Sequence, residues 1–343
     1  MDEDFILVNG GSGDDDCLAE DAPCDSPTLG TGLDEERCVP GGTYTMGADA
    51  IPILPHMVSL NTGGDCTAAE IGTIACEASY RPGPRNDWAP KHQVWLSPYF
   101  IDTFEVTNGR YKECVTAGAC AQAGGEELDN PLSADSPVVF VTWSKAYDYC
   151  LWRGRRLPTE AEWEVAARGK KAFQWPWGDT PPNSPSPGFA PYPAPAVGTD
   201  SRDISPFGIH DMLGGVSEWV NDWYAGPYSA DTTLVKNPQG PAEAPTGYVK
   251  CCKENDWRRM FSWSRHKSVR GTGTAAPGGY ELNQLDRAYP LWVRDYNWDD
   301  DRYGDLGFRC ARDGRAGQAS QALQSVPTHK NLAWRWYGDG GAR

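Results

Sequence analysis

Glycine and proline constrain this chain more than any other feature of its sequence, with 38 glycines and 28 prolines among 343 residues. Glycine weakens helices and strands, and proline interrupts both, so long regular elements cannot be frequent. Hydrophobic residues make up 39% of the chain, which is enough to bury a sizeable core and excludes a disordered polymer. We therefore expect many loops, short strands and few helices.

The negative charge is concentrated at the N-terminus. The formal net charge is −16, and residues 1–36 contain twelve Asp or Glu but no Lys or Arg. The sequence therefore predicts an acidic arm over 1–37, followed by a nearly neutral body. An acidic balance of this size argues against binding to nucleic acid or to anionic membrane surfaces.

Membrane-directing segments are not recognisable in the sequence. No run approaches the roughly 20 apolar residues that cross a bilayer, so we expect no transmembrane segment. The first residues, MDEDFILV, lack a basic start and hold only a short apolar run. We therefore expect no signal sequence in the chain as given.

Local signals predict three short helices. Thr107, Thr142 and Thr159 can each cap a helix N-terminus, and Glu162 completes a capping box with Thr159. The helices are expected over about 108–116, from Thr142 to about Trp152, and over about 160–168. Short apolar runs between turn residues predict strands, and these runs lie at 40–47, 94–96, 99–101, 216–220, 268–271 and 306–311.

Cysteine usage indicates the redox environment. The chain has eleven cysteines and no CxxC motif, so zinc-ribbon and thioredoxin sites are not supported. Cys66 with Cys76, and Cys114 with Cys120, are close pairs in polar loops, a pattern that favours disulfides. We therefore expect an extracytoplasmic location, which would be periplasmic, cell-surface or secreted. The odd total leaves at least one thiol free or bonded to another chain.

Seven sequence blocks follow one another along the chain: PGG-x3-MG (40–47), EVTN (105–108), RLPTEAEWE (156–164), WPWGD (175–179), DMLGGVSEWV (211–220), VRG (269–271) and GFRCA (307–311). Their order resembles the formylglycine-generating enzyme, or sulfatase-modifying factor, domain family. The resemblance covers about 38–313, with an insertion at 225–262 and a tail at 314–343. It implies an α+β, C-type-lectin-like fold that is rich in loops and has few regular elements.

The resemblance also implies a test for catalysis. The oxidases of this family bind copper(I) through two cysteines that lie six and eleven residues after the Arg of the VRG block, and copper(I) prefers thiolate ligands. Counted from Arg270, these positions are Ala276 and Glu281, and no cysteine occurs from 253 to 309. We therefore expect no copper and no oxidase activity. A divergent oxidase that uses Cys251 or Cys252 is the alternative.

Two structural features of the family have counterparts here. Its calcium loop corresponds to Asp211, Gly214, Val216 and Glu218, whose side-chain and carbonyl oxygens suit calcium. The alternative is that Glu218 caps the turn and no ion binds. The resemblance also implies a disulfide between Cys150 and Cys310, with two buried free thiols as the alternative.

The stretch 272–305 takes the place of the oxidase site and is rich in aromatic and charged residues. It predicts a ligand-binding face that comprises Tyr280, Tyr289, Trp292, Arg294, Tyr296, Trp298 and Tyr303. The alternative is that these aromatics pack the loops onto the core.

Taken together, the residues favour a non-catalytic extracytoplasmic module that binds a protein, peptide or glycan, or that has a structural role. A further alternative is a subunit of a larger extracellular assembly, joined through the aromatic tail at 314–343.

Overall fold

The computed structural model describes residues 21–49, 87–124, 133–180, 194–226, 228–229, 233–244, 266–271 and 290–315, with two further strands at 248–250 and 260–262. Helices and strands are short, and loops carry much of the described chain, as the glycine and proline content predicts. No helix in these ranges is long and apolar enough to cross a membrane.

Three α-helices form where the capping residues predict them. They are α1 (Asn108–Thr116), α2 (Trp143–Trp152) and α3 (Glu160–Arg168). At the start of α3 the Thr159 hydroxyl accepts from the Glu162 amide at 3.1 Å, and the Glu162 carboxylate accepts from the Thr159 amide at 2.8 Å. This reciprocal pair satisfies two amides that a helix otherwise leaves free. Gly169 ends α3 at a positive φ of 65°.

Twelve strands lie in the described part of the chain. In chain order they are β1 (Glu36–Val39), β2 (Gly42–Met46), β3 (His92–Leu96), β4 (Tyr99–Asp102), β5 (Ser217–Trp223), β6 (Val235–Lys236), β7 (Tyr248–Lys250), β8 (Met260–Ser262), β9 (His266–Arg270), β10 (Asp295–Trp298), β11 (Leu306–Phe308) and β12 (Ala311–Asp313). They form sheets ordered β10-β9-β5-β11, β1-β4-β12 and β2-β3-β6, with β7 paired to β8. Parallel and antiparallel pairs both occur, which together with the helices makes an α+β fold.

The core is packed around two tryptophans. Trp163 of α3 and Trp219 of β5 are both fully buried, and each belongs to a separate apolar cluster. Trp219 also donates its indole N–H to the Val141 carbonyl at 2.9 Å, so its polar atom is satisfied. Helix α2 packs against β5, and helix α3 packs against both β5 and β9.

The two ends of the described fold meet. The amides of Asp25 and Ser26 donate to the Gly314 carbonyl at 3.0 and 3.2 Å. Strand β1 pairs with β4, so that Glu36 lies opposite Asp102. β1 starts at Glu36, so the last residues of the predicted acidic arm (1–37) take part in the sheet, and Asp25 and Ser26 contact Gly314.

Candidate functional site

Buried carboxylates fix the backbone of the loop from Asp211 to Glu218. Asp203 accepts from the amides of residues 212–214 at 2.7 to 3.2 Å, and Glu105 accepts from the Val216 amide at 2.7 Å. Asp211 itself accepts from the Gly198 amide at 2.5 Å. These charge-assisted bonds fix the loop backbone through side chains from distant parts of the chain.

The Glu218 carboxylate, a predicted calcium ligand, forms a buried ion pair with Arg309. Arg309 Nε and Nη2 lie 2.8 to 3.0 Å from the two carboxylate oxygens of Glu218, and both side chains are fully buried. Trp163 Nε1 donates to the same carboxylate at 3.0 Å. Glu218 therefore already has a cationic partner in Arg309, and the calcium set of Asp211, Gly214, Val216 and Glu218 stays a prediction.

Three buried carboxyl groups beside this loop, Asp203, Asp211 and Glu105, have raised pKa values. Burial raises the pKa of Asp203 to about 7 and that of Asp211 to about 6, although the positive charge of Arg309 opposes both shifts. Burial, together with the charges of Asp211 and Glu218, raises the pKa of Glu105 well above its usual value. Glu105 Oε2 has no hydrogen-bond partner in the part of the chain that the structure describes. The described residues also contain no group of three or more His, Cys, Asp or Glu that could hold a metal ion.

A second network fixes the strand that leads into the predicted ligand face. Arg270, at the end of β9, donates to Glu160 at 3.2 Å, to Glu164 at 2.8 Å and to the Leu291 carbonyl at 2.7 Å. Arg294 donates to both oxygens of Glu160 at 2.6 and 2.8 Å. Burial opposes the charge of Glu160, but Arg294 and Arg270 outweigh it and lower the pKa of Glu160. The carboxylate is therefore ionised and ties β9 and residues 290–294 to α3.

Several predicted residues lie outside the described ranges. They are Ala276, Glu281, Tyr280, Tyr289, Cys66, Cys76, Cys251, Cys252 and the tail from 316 onward.

The described part of the ligand face is mostly interior. Trp292 and Tyr296 are 9% exposed and Arg294 is 4% exposed. These three side chains lie in the interior, where Arg294 neutralises Glu160, and their burial is what the alternative of aromatics that pack the loops onto the core expects. Trp298 is half-buried, with its ring centroid 4.1 Å from that of His266, and Tyr303 is 40% exposed.

A buried lysine beside this face was not predicted from the sequence. Lys267 of β9 is 4% exposed, and its amine lies 3.9 Å from the ring centroid of Trp143 and 3.7 Å from that of Trp223. Burial lowers the pKa of Lys267 to about 7. The register of β5 against β9 places Trp223 opposite Lys267, and the start of α2 supplies Trp143.

Three disulfides lie within the described residues. Cys114–Cys120 and Cys150–Cys310 form as predicted, and Cys24–Cys38 is an addition that the sequence did not reveal. They account for six of the eleven cysteines, and the other five lie outside the described ranges.

Comparison with known proteins gives a consistent picture. The family model described as "sulfatase-modifying factor enzyme 1-like domain" matches residues 27–314. The formylglycine-generating enzyme of Bos taurus is 32% identical over 286 residues, which cover 66% of this chain and 68% of that protein. The inactive C-alpha-formylglycine-generating enzyme 2 of Bos taurus is 40% identical over 198 residues, covering 42% and 66%. A serine/threonine-protein kinase pkn1 of Chlamydia pneumoniae is 32% identical over 228 residues, which cover 61% of this chain but only 34% of the kinase's length.

Solved structures agree on the fold. PvdO from Pseudomonas aeruginosa superposes with a TM-score of 0.53 at 20% identity and covers 85% of this chain and 98% of its own. Treponema denticola variable protein 1 gives a TM-score of 0.51 at 18% identity, covering 84% and 98%. At these identities the likeness concerns the fold alone.

Proposed function

The chain belongs to the sulfatase-modifying factor enzyme 1-like domain family, and on that premise we propose that it is a non-catalytic member that recognises a ligand outside the cytoplasm. One observation carries the proposal. The positions at which the family's oxidases place their copper ligands are Ala276 and Glu281, and the chain has no cysteine from 253 to 309. Neither side chain offers the thiolate that copper(I) prefers.

The contacts at the base of that segment support a retained scaffold. Arg270 is fully buried between Glu160 and Glu164, and Arg294 reinforces the same carboxylate. Removing one partner of a buried ion pair typically costs about 3–5 kcal/mol, so the loss of any one of these side chains should destabilise the base of this segment. This buried network is present although the cysteines expected for the oxidation are missing. That combination is what we expect of a domain that binds a ligand without oxidising it.

The surface we propose for recognition lies at the outer end of β10. Trp298 and Tyr303 are the described aromatic residues of the ligand face that are accessible, and the acidic triplet 299–301 lies between them. Aromatic side chains beside charged ones are enriched at recognition surfaces. The partner class that we propose is a protein, peptide or glycan. The disulfides favour an oxidising compartment, and the tail from 314 would serve as an attachment segment.

Calcium enters the proposal only as a structural ion. Its predicted protein ligands are Asp211, Glu218 and the carbonyl oxygens of Gly214 and Val216, and Glu218 also has Arg309 as a partner. The buried carboxyl groups beside this loop support a cation there. A chelator should then lower the Tm of the wild type, and Asp211→Ala should lack that response. A wild-type Tm that does not change on chelation contradicts the ion.

Copper titration tests the absence of oxidase activity. The protein should show no copper(I)–thiolate absorbance, and it should not convert the cysteine of a sulfatase-motif peptide to an aldehyde. The matched control is a double variant, Cys251→Ser with Cys252→Ser, because these are the thiols that a divergent oxidase would use. Copper-dependent aldehyde formation by the wild type, lost in this variant, would overturn the proposal.

Peptide and glycan arrays test recognition. Trp298→Ala should weaken binding of any ligand found, without lowering the Tm beyond the effect of Trp152→Ala, which removes an exposed tryptophan elsewhere. Equal binding by both variants would place the ligand away from this surface.

A further inference from the structure

Two positively charged side chains meet at one carbonyl group beside the ligand face. Lys145 Nζ donates to the Gly124 carbonyl oxygen at 3.2 Å, and Arg302 Nη1 donates to the same atom over a longer distance of 3.4 Å. Lys145 also donates to the Gln122 carbonyl at 2.7 Å. The shared acceptor makes the amine and the guanidinium close neighbours, and we refer to Lys145 and Arg302 as the cation pair.

The cation pair is accessible from solvent, because Arg302 is exposed and Lys145 is only half-buried. A lysine amine has three N–H donors and an arginine guanidinium has five. The described residues accept from the amine at two carbonyl oxygens and from the guanidinium at one. A ligand that approaches from solvent therefore meets unused donors on both side chains.

No carboxylate in the described ranges forms an ion pair with either member of the cation pair. Burial lowers the pKa of Lys145, and the positive charge of Arg302 lowers it further. Lys145 also lies in the first turn of α2, which contains no acidic residue and where the helix backbone itself carries positive partial charge. An anion bound between the two side chains would relieve their mutual repulsion.

The acidic triplet 299–301 directly precedes Arg302 and limits the charge that such an anion can carry. A phosphate dianion or a sulfated polysaccharide would be attracted by the cation pair but repelled by three neighbouring Asp residues. A single carboxylate brings only one negative charge, and its two oxygens match the planar donors of a guanidinium. The surroundings of the pair therefore favour a carboxylate over a multiply charged anion.

A carboxylate alone would bind weakly at this position, since an exposed ion pair contributes only about 0–1 kcal/mol. Stable recognition needs further contact, and the accessible aromatics Trp298 and Tyr303 lie on either side of Arg302 in the chain. We propose that the cation pair binds the side-chain carboxylate of an acidic peptide that also contacts these aromatics.

This inference rests on the proposed recognition function and names the ligand class for the same region. Basic side chains that bind an acidic motif are a recurring mode of peptide recognition. A Glu or Asp side chain carries its single carboxylate on a flexible stem, so it can reach the cation pair while the rest of the peptide contacts the aromatics. An acidic sugar is an outcome of the test.

Paired peptides test the inference. Short peptides that each contain one Glu are compared on an array with the same peptides containing Gln, and the strongest pairs are titrated by fluorescence polarisation. The test variant, Lys145→Gln with Arg302→Gln, removes both charges of the cation pair. The matched control, Lys112→Gln with Lys171→Gln, removes two exposed charges elsewhere and changes the net charge equally.

The wild type should bind at least one Glu peptide roughly 5- to 10-fold more tightly than its Gln counterpart, because a charge-assisted contact becomes a neutral one. This preference should disappear in the test variant and persist in the control. It should also shrink as the salt concentration rises from about 0.01 to 1 M, because the pair is accessible to solvent.

A wild type that binds no Glu peptide better than its Gln counterpart overturns the inference, as does an equal loss of preference in the control variant. If the test variant does not fold, Arg302→Gln alone decides, because this side chain is exposed and makes one long hydrogen bond among the described residues. An unchanged Glu preference in Arg302→Gln overturns the inference.

Two further probes identify the carrier of the carboxylate. Acetate tests a free carboxylate and sialyllactose tests an acidic sugar, and both are titrated calorimetrically. Saturable binding of either probe that is lost in the test variant, without a Glu preference among the peptides, overturns the assignment to a peptide.

Failure here is separable from failure of the proposed function. If array peptides bind with dependence on Trp298 but without a preference for Glu, the cation pair is not the binding site and the recognition function stands. If copper-dependent oxidation is found, the proposed function fails whatever the Glu peptides do.

Discussion

Replacing Cys150 and Cys310 with alanine removes the disulfide that joins the end of α2 to the residue before β12. The two residues are separated by 160 positions, whereas Cys114 and Cys120 are separated by six. In the loop-entropy description a cross-link stabilises by limiting the unfolded chain, so its contribution grows with the logarithm of loop length. It amounts to about 5 kcal/mol for the long loop and about 2 kcal/mol for the short one.

Guanidinium unfolding followed by tryptophan fluorescence measures both losses. The long-loop variant should lose about 3 kcal/mol more than the Cys114→Ala, Cys120→Ala variant, a large share of the 5–15 kcal/mol that holds a typical domain together. Its m-value should also rise, because the unfolded chain becomes less compact. Equal losses in the two variants, or a larger loss from the short loop, would refute the entropic reasoning.

Three further changes have defined outcomes. Arg309→Met leaves the Glu218 carboxylate buried without its partner and should cost about 3–5 kcal/mol in urea unfolding. Adding Glu218→Leu to that variant should recover part of the loss, and a double variant less stable than the single one would contradict this account. Burial lowers the pKa of Lys267 to about 7, so between pH 7 and 10 the unfolded chain binds more protons than the folded one. The free energy of unfolding should therefore rise with pH over this range in the wild type and stay flatter in Lys267→Met, and parallel pH profiles would refute that assignment. Gly47→Ala places a Cβ against the Trp88 carbonyl at a positive φ and should lower stability by about 1–3 kcal/mol, measured as a shift in Tm. An unchanged Tm would show that the backbone relaxes there.

Helix positions were predictable from sequence because their signals are local. Thr159 and Glu162 are three residues apart, and the capping box that they form needs no knowledge of the rest of the chain. The fold and the Cys150–Cys310 bond were predictable because each family block is a short local motif, and the order of these blocks can be read along the chain.

The candidate site was less predictable because its chemistry depends on long-range pairing. Glu218 and Arg309 are separated by 91 positions, and Glu160 and Arg294 by 134. Each side chain reads as a free charged group in the sequence and becomes half of a buried ion pair in the fold. The same pairing places Arg294 in the interior, which its charge alone would not predict.

The junction at Gly314, where the amides of Asp25 and Ser26 dock, has a mechanical consequence. Tension applied between residues 25 and 314 would break these few hydrogen bonds one after another before it reached the core. The Cys150–Cys310 bond would then withhold 160 residues from the stretched chain, roughly 550 Å of contour length. Under load the domain would open first at this junction. The disulfide would then stop the chain from lengthening well short of its full extension.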